Sequence, residues 1–176
     1  MTEDAQPKQP ADLAVAMHSP NDTLSSSGMP ETARATETTG GKFQQIVSCG
    51  NHRVMADEPV SYGGLDTGLS PYDFLASAVA TCTAMTLRVY AAHKSLDLGR
   101  ISVGVTHEKV HLDDMTTAAT SEKKSIGYID RFERLISIEG DVSDELRNKL
   151  LAIADKCPVS RTLERTSQIE TAFSND

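Results

Sequence analysis

Apolar and polar positions alternate along this chain at two spacings, that of a strand and that of a helix. Phe43 to Cys49 and His52 to Ala56 flank Gly50-Asn51, a two-residue turn of the kind that closes a β-hairpin. Glu58-Pro59 and the run Gly63-Gly64-Leu65-Asp66-Thr67-Gly68 predict a loop. A helix start follows, with Ser70 as N-cap, Pro71 at the first helical position and Asp73 as the acid of a capping box. The spacing predicts a helix to about His93, with Phe74, Leu75, Ala78, Val79, Cys82, Met85, Thr86 and Val89 as its apolar stripe. At 1.5 Å per residue such a helix is about 35 Å long.

Beyond it, Ile101, Val103 and Val105 alternate with polar or small residues as in a strand, and Asp113 to Ser125 is polar and predicts a loop. Ile126 to Glu139 predicts a long strand, with Ile129, Arg131, Glu133 and Leu135 on one phase and Phe132, Ile136 and Ile138 on the other. A second helix is expected from Ser143, carrying Leu146, Leu150, Ile153, Ala154 and Cys157, and Pro158 breaks it. Ser167 to Phe173 is expected to form a last strand. The order predicts an α+β fold, a mostly antiparallel sheet packed on a long helix and a second helix.

Composition changes this picture at one end. Residues 1–40 contain no Phe, Tyr, Ile or Trp, and hold Glu3, Asp4, Asp12, Asp22, Glu31 and Glu37 against Lys8 and Arg34. Such a segment buries too little apolar surface to offset the entropy of ordering. It is expected to be a flexible acidic arm, with the folded domain over 41–176. Leu13 to Met17 is too short for a secretory h-region, and the acidity is unlike a transit peptide, so a cytoplasmic location is expected. The whole chain of 176 residues carries 17 Lys and Arg against 25 Asp and Glu, a formal charge of −8. Nucleic acid and anionic membranes are bound through excess Lys and Arg, so neither is an expected partner. No run approaches the ~20 apolar residues of a membrane span, since Thr81, Thr83, Thr86 and Arg88 interrupt the best one.

Two constellations bear chemistry. His107-Glu108-Lys109-Val110-His111 spells H-E-x-x-H, which binds zinc only on a helix. Here it continues a strand pattern, and at ~3.3 Å per residue the two His lie about 13 Å apart. A shared zinc, bound at about 2.0–2.1 Å, allows its two nitrogens no more than about 4 Å of separation. No metal site is expected. The second constellation is a thiol pair, Cys82 on the stripe of the first helix and Cys157 at the end of the second. Both stripes face one core, so the sulfurs are expected to approach. Spacing alone leaves open whether they are small buried hydrophobes or reactive thiols. Cys49 reads as a plain strand residue.

Gly68-Leu69-Ser70-Pro71-Tyr72-Asp73-Phe74-Leu75-Ala76-Ser77-Ala78-Val79-Ala80-Thr81-Cys82-Thr83 resembles the helix signature of the OsmC/Ohr family, and Cys157-Pro158-Val159-Ser160 resembles its second cysteine motif. Ala56-Asp57-Glu58-Pro59, the Gly63-Gly64 loop and Met85-Thr86-Leu87-Arg88 are similar to the OsmC-like branch. The resemblance covers about residues 42–173. It implies an intertwined homodimer that reduces organic hydroperoxides to alcohols. Cys82 would attack the peroxide oxygen and become a sulfenic acid, and Cys157 would condense with it to a disulfide. An external dithiol would reset the pair, and no cofactor is expected.

One position departs from that family. Its peroxidases place a Glu directly after the Pro, where it orients an activating Arg, and here that position is Tyr72. Asp73 lies about 180° around the helix from Cys82, better placed for capping. Arg53, on the second hairpin strand, is the candidate activating cation, and Arg88 and Arg161 are weaker ones. The departure keeps a second reading in view, a non-catalytic binder or redox sensor of small apolar or oxidised molecules.

Overall fold

A computed structural model describes residues 32–111 and 127–173, so residues 1–31 of the expected arm and the expected loop 113–125 lie outside the described residues. The chain divides into two units, Met1–Gly68 and Leu69–Asp176.

The first unit is built on the predicted hairpin. β2 (Gln45–Cys49) and β3 (His52–Ala56) pair antiparallel, with Cys49 opposite His52, which leaves Gly50-Asn51 as the two-residue turn. Gly50 supplies the positive φ of 54° that this turn demands. A third strand, β1 (Arg34–Glu37), pairs antiparallel with β2 in the order β1-β2-β3. This corrects the expected boundary at residue 40, because β1 lies inside the segment expected to be an arm. All four of its residues are exposed. The strand is held by backbone pairing, so no apolar periodicity marks it in the sequence.

After β3, Asp57 organises the glycine loop. Its buried carboxylate accepts hydrogen bonds from the amides of Glu58, Leu65 and Thr67 at 2.9, 3.1 and 3.3 Å, and from the Thr67 hydroxyl at 2.8 Å. A Cβ on Gly64 would lie 1.8 Å from the Glu58 carbonyl oxygen, so the backbones meet at a distance only glycine permits. Burial disfavours charge on Asp57, but the bonds from Thr67, Glu58 and Leu65 outweigh it and hold the carboxyl below its ordinary value. A depressed folded-state pKa contributes stability above the unfolded value, and that stability is lost as pH falls through the folded one. Asp57→Asn is therefore expected to lower the thermal midpoint at pH 7 and to differ little from the parent at pH 2–3, about one unit or more below the ordinary Asp value. Melting curves across that range check it. An equal deficit at both ends would remove the charge from the argument.

The second unit begins at the predicted helix. α1 (Pro71–His93) starts as the sequence requires, with the Ser70 hydroxyl accepting from the Asp73 amide and the Asp73 carboxylate accepting from the Ser70 amide. Such a cap is worth about 1 kcal/mol. The buried stripe is Val79, Thr83, Leu87 and Ala91, while Leu75 and Met85 are exposed. The expected stripe is therefore rotated by roughly one position, a shift that α1's many alanines hide because they fit either face. Contrary to expectation, α1 is long and apolar enough by length and composition to cross a membrane. The core helix of a water-surrounded fold passes the same test.

β4 (Ile101–His111) and β5 (Tyr128–Ile138) form a two-stranded antiparallel sheet, from Ile101 opposite Ile138 to His111 opposite Tyr128. α1 packs on β4, and also on α2 (Asp144–Ala154) and α3 (Pro158–Leu163). Leu87, Ala91, Leu98, Val142, Leu150 and Ala154 make the core of this unit. Ser143 caps α2 through the Leu146 amide, as expected, but α2 ends at Ala154. Pro158 opens α3 and does not merely break α2. Ser167 to Phe173 forms no strand within the chain, and Ile169 and Phe173 are exposed. It pairs with no strand among the described residues, and a strand requires such pairing.

Candidate active site

The two cysteines meet. Cys82 projects, half-buried, from the middle of α1, and Cys157 is fully buried as the N-cap of α3. Cys157 thus stands in the turn between two helices and not on the last turn of α2. The two side chains interact, each thiol shifting the acidity of the other.

Their surroundings are unequal. Burial pushes the Cys82 thiol up, the contact with Cys157 pushes it further, and the Val159 amide offsets only part. Burial also opposes charge on Cys157, but the Cys82 thiol, the Ser160 amide and hydroxyl and the Thr83 hydroxyl together hold it below an ordinary cysteine. The Ser160 hydroxyl is buried and has no hydrogen-bond partner among the described residues.

Arg134 is the cation of this site, and the sequence reading missed it. Its side chain is only 19% exposed and lies on the inward phase of β5 with Phe132, Ile136 and Ile138. That phase was legible as an alternation, and Arg134 is the cation within it. The guanidinium donates to the Ala154 carbonyl at 2.9 Å, to Asp155 at 2.7 Å and to the Thr83 hydroxyl oxygen at 3.4 Å. It thereby ties β5 to the C-terminal end of α2, where a cation is favoured, and to the buried face of α1.

A cavity of about 440 Å³ reaches Val79 and Ser160, about one turn from Cys82 and Cys157, and is lined besides by Tyr72, Leu75, Phe132 and Leu163 and by Asp130, Arg134 and Glu164; neither cysteine lines it. Tyr72, at the position where a Glu was to be expected from the resemblance, stacks on His107 with ring centroids 4.2 Å apart and planes 5° from parallel. His107 contacts Phe132 on its other side at 4.8 Å, and its Nε2 is 2.8 Å from Asp130. Hydrogen bonds from His107, opposed by burial and joined by Lys109, hold the Asp130 carboxyl below its ordinary value. The H-E-x-x-H run lies on β4, so the helix that a metal reading needs is not there; His111 instead packs edge-on to Tyr128. Arg53 is exposed on β3, opposite Ser48, in the first unit. Arg88 donates to the Gly99 carbonyl at 2.6 Å, and Arg161 is exposed on α3 with Lys156 and Arg165 around a shallow basic depression.

An α+β scaffold that brings one thiol from a long capped helix against a second at a Cys-Pro helix start defines a two-cysteine protein with a polar-ended cavity about one turn from the thiols. The model of the OsmC-like protein family matches residues 64–172, and the chain belongs to that family. Among solved structures, it is similar to the organic hydroperoxide resistance protein OsmC of Legionella pneumophila, with 20% identity, a TM-score of 0.56, and coverage of 77% of this chain and 89% of that one. An organic hydroperoxide resistance protein from Elizabethkingia anophelis gives 20%, 0.54, and 76% and 89%. The organic hydroperoxide resistance protein OhrB of Bacillus subtilis gives 17%, 0.51, and 74% and 89%. At these identities the likeness is one of fold. No curated protein sequence matches the chain.

Proposed function

We propose that the protein is a thiol peroxidase that reduces organic hydroperoxides to alcohols, with Cys82 attacking and Cys157 resolving. The meeting of Cys82 and Cys157 about one turn from a cavity carries this reading. Membership of the OsmC-like family and the fold shared with hydroperoxide resistance proteins support a redox role in stress response. Tyr72, Leu75, Val79, Phe132 and Leu163 give the cavity an apolar wall, which favours an alkyl peroxide over hydrogen peroxide because the alkyl tail gains by burial. The Cys82–Cys157 disulfide would be reset by an external dithiol through thiol–disulfide exchange. The working unit is proposed to be a homodimer, whose partner would cover exposed apolar residues such as Met85, Leu135, Ile169 and Phe173.

Stopped-flow oxidation of the reduced protein by cumene hydroperoxide and by hydrogen peroxide tests the reading. Rapid reaction with the organic peroxide and slower reaction with hydrogen peroxide are expected. If both react no faster than with free cysteine, the peroxidase reading is wrong. A second reading, a non-catalytic binder or redox sensor, draws on Tyr72, whose ring takes the place of a catalytic carboxylate and is held by His107. A ligand retained through native purification, found by mass spectrometry, would favour it.

A further inference from the structure

Three rings from three elements meet at the wall of the cavity. Tyr72 is the second residue of α1, set in place by the Ser70–Asp73 cap. His107 continues the inward phase of β4 begun by Ile101, Val103 and Val105. Phe132 stands directly opposite it on β5, on the inward phase of that strand. Residues opposite each other in an antiparallel pair have Cβ atoms about 4.5–5.5 Å apart, so the register alone brings these two rings together.

His107 is the middle of this stack. The Tyr72 ring lies 4.2 Å from it and 5° from parallel, and the Phe132 ring lies 4.8 Å away, tilted by 36°. Asp130, 2.8 Å from Nε2, holds the imidazole in that place. Tyr72 and Phe132 line the cavity and His107 does not, so His107 is the brace and the other two rings are the surface offered to a ligand. Tyr72 keeps 42% of its surface open. Lys109 Nζ lies 5.7 Å from the Tyr72 ring centre, near the outer limit of a cation–π contact, and 3.3 Å from the same Asp130 oxygen. A wall braced in this way loses little further freedom when a ligand lands on it. Charge narrows the choice of ligand. Arg134 is the cation among the lining residues, and its guanidinium already serves Ala154, Asp155 and Thr83. Glu164 is exposed and has no ion pair among the described residues. A carboxylate-bearing ligand would find no free cation and would meet Glu164, so an uncharged ligand is favoured.

We propose that Tyr72 and Phe132, braced by His107, form a subsite for an uncharged planar aromatic group, so that the cavity selects aryl-bearing ligands over saturated ones of equal carbon count. The idea deepens the peroxidase reading above, on which its use in catalysis rests, by naming the organic part of the hydroperoxide. Tyr72 and Phe132 are then the specificity-determining residues and His107 is the positioning residue. A flat ring packs offset or edge-on against another ring, where the positive edge meets the negative face, and a saturated ring of the same size has no such complement. A ring contact of this kind is worth a preference of roughly 2- to 10-fold. The O–O bond that breaks is the same whatever the organic group, and the subsite chooses only that group.

The test is calorimetric titration of the full, reduced chain with 2-phenyl-2-propanol, the alcohol that cumene hydroperoxide yields, and with its saturated counterpart 2-cyclohexyl-2-propanol. The phenyl alcohol is expected to bind about 3-fold more tightly or better. The anion 2-methyl-2-phenylpropanoate should bind more weakly than the phenyl alcohol, and equal binding would overturn the requirement for an uncharged ligand. Tyr72→Leu and Phe132→Leu should each bring the phenyl-to-cyclohexyl ratio close to one. His107→Thr should do the same by removing the brace, and His107→Phe, which returns a ring to that place, should restore the preference. A ratio of two ligands on one preparation does not move with the folded fraction, so a merely structural role for His107 would leave it alone. If Phe132→Leu or His107→Thr does not fold, Tyr72→Leu, at a half-open ring, decides the matter. The proposal is overturned if the two alcohols bind alike, if neither binds, or if Tyr72→Leu keeps the parent's ratio. A phenyl preference without any reaction with cumene hydroperoxide would sink the peroxidase reading and leave the subsite standing. Rapid reaction with cumene hydroperoxide and no phenyl preference would sink the subsite and leave the peroxidase standing.

Discussion

Cys82→Ser is expected to abolish the reaction with cumene hydroperoxide, by on the order of 10³-fold or more, since a hydroxyl replaces the nucleophile. Cys157→Ser is the more instructive variant. A thiol that only resolves can be removed without changing the first oxidation; the sulfenic acid then accumulates and turnover stops. Cys157→Ser is therefore expected to leave the first oxidation near the parent's rate and to block disulfide formation. Single-turnover stopped flow measures that first step. Trapping with a sulfenic-acid reagent, read by mass spectrometry, shows which sulfur was oxidised. Label on Cys82 in the Cys157→Ser protein is expected. If Cys157 carries the label in the Cys82→Ser protein at the parent's rate, the roles of the two residues are reversed.

Leu87→Ala should be among the most destabilising single changes. Leu87 is fully buried on α1 among Ala91, Leu98, Val142, Leu150 and Ala154, the core shared by α1, α2 and the segments flanking the second sheet. Removing its isobutyl group costs the transfer energy of the lost atoms plus the cavity left behind, about 2–5 kcal/mol. For a chain of this size that lowers the thermal midpoint by about 5–15 °C. Leu87 is also one turn beyond Thr83 on the same buried stripe. A loosened stripe should therefore degrade the Thr83–Arg134 contact as well, and peroxide reactivity should fall together with stability. Calorimetry and the stopped-flow assay on one preparation check both. A loss of less than about 1 kcal/mol would mean that the site collapses around the smaller side chain.

Both expectations concern residues whose type was plain in the sequence and whose partners were not. The start of α1 was legible because Ser70, Pro71 and Asp73 act within one turn of backbone. The hairpin was legible because Gly50-Asn51 decides a turn from two residues. The strand nature of His107 to His111, and with it the failure of the metal motif, followed from a local alternation. The approach of Cys82 to Cys157 was expected from apolar stripes, but Cys82 stands beside the buried stripe of α1 and Cys157 in the turn before α3, so what sets their positions is the packing of α1 on α3.

What escaped the sequence depended on distant contacts. β1 has no apolar signature, because its four exposed residues are held by hydrogen bonds to β2. The stripe of α1 could not be phased to one residue while its alanines fitted either face. Ser167 to Phe173 alternates like a strand but pairs with no strand among the described residues. Arg134 stood in the inward phase of β5, yet its role depends on where α2 ends and which threonine of α1 faces it.

The sequence by itself determined the elements, their order and the two thiols, since propensity, capping and periodicity act over a few residues. Only the tertiary structure decided that Arg134 of β5 joins the end of α2 and the buried Thr83 of α1 near the thiols. That depends on which carbonyl, hydroxyl and cation three separate elements bring to one buried point, and on the low dielectric there that makes each of them count.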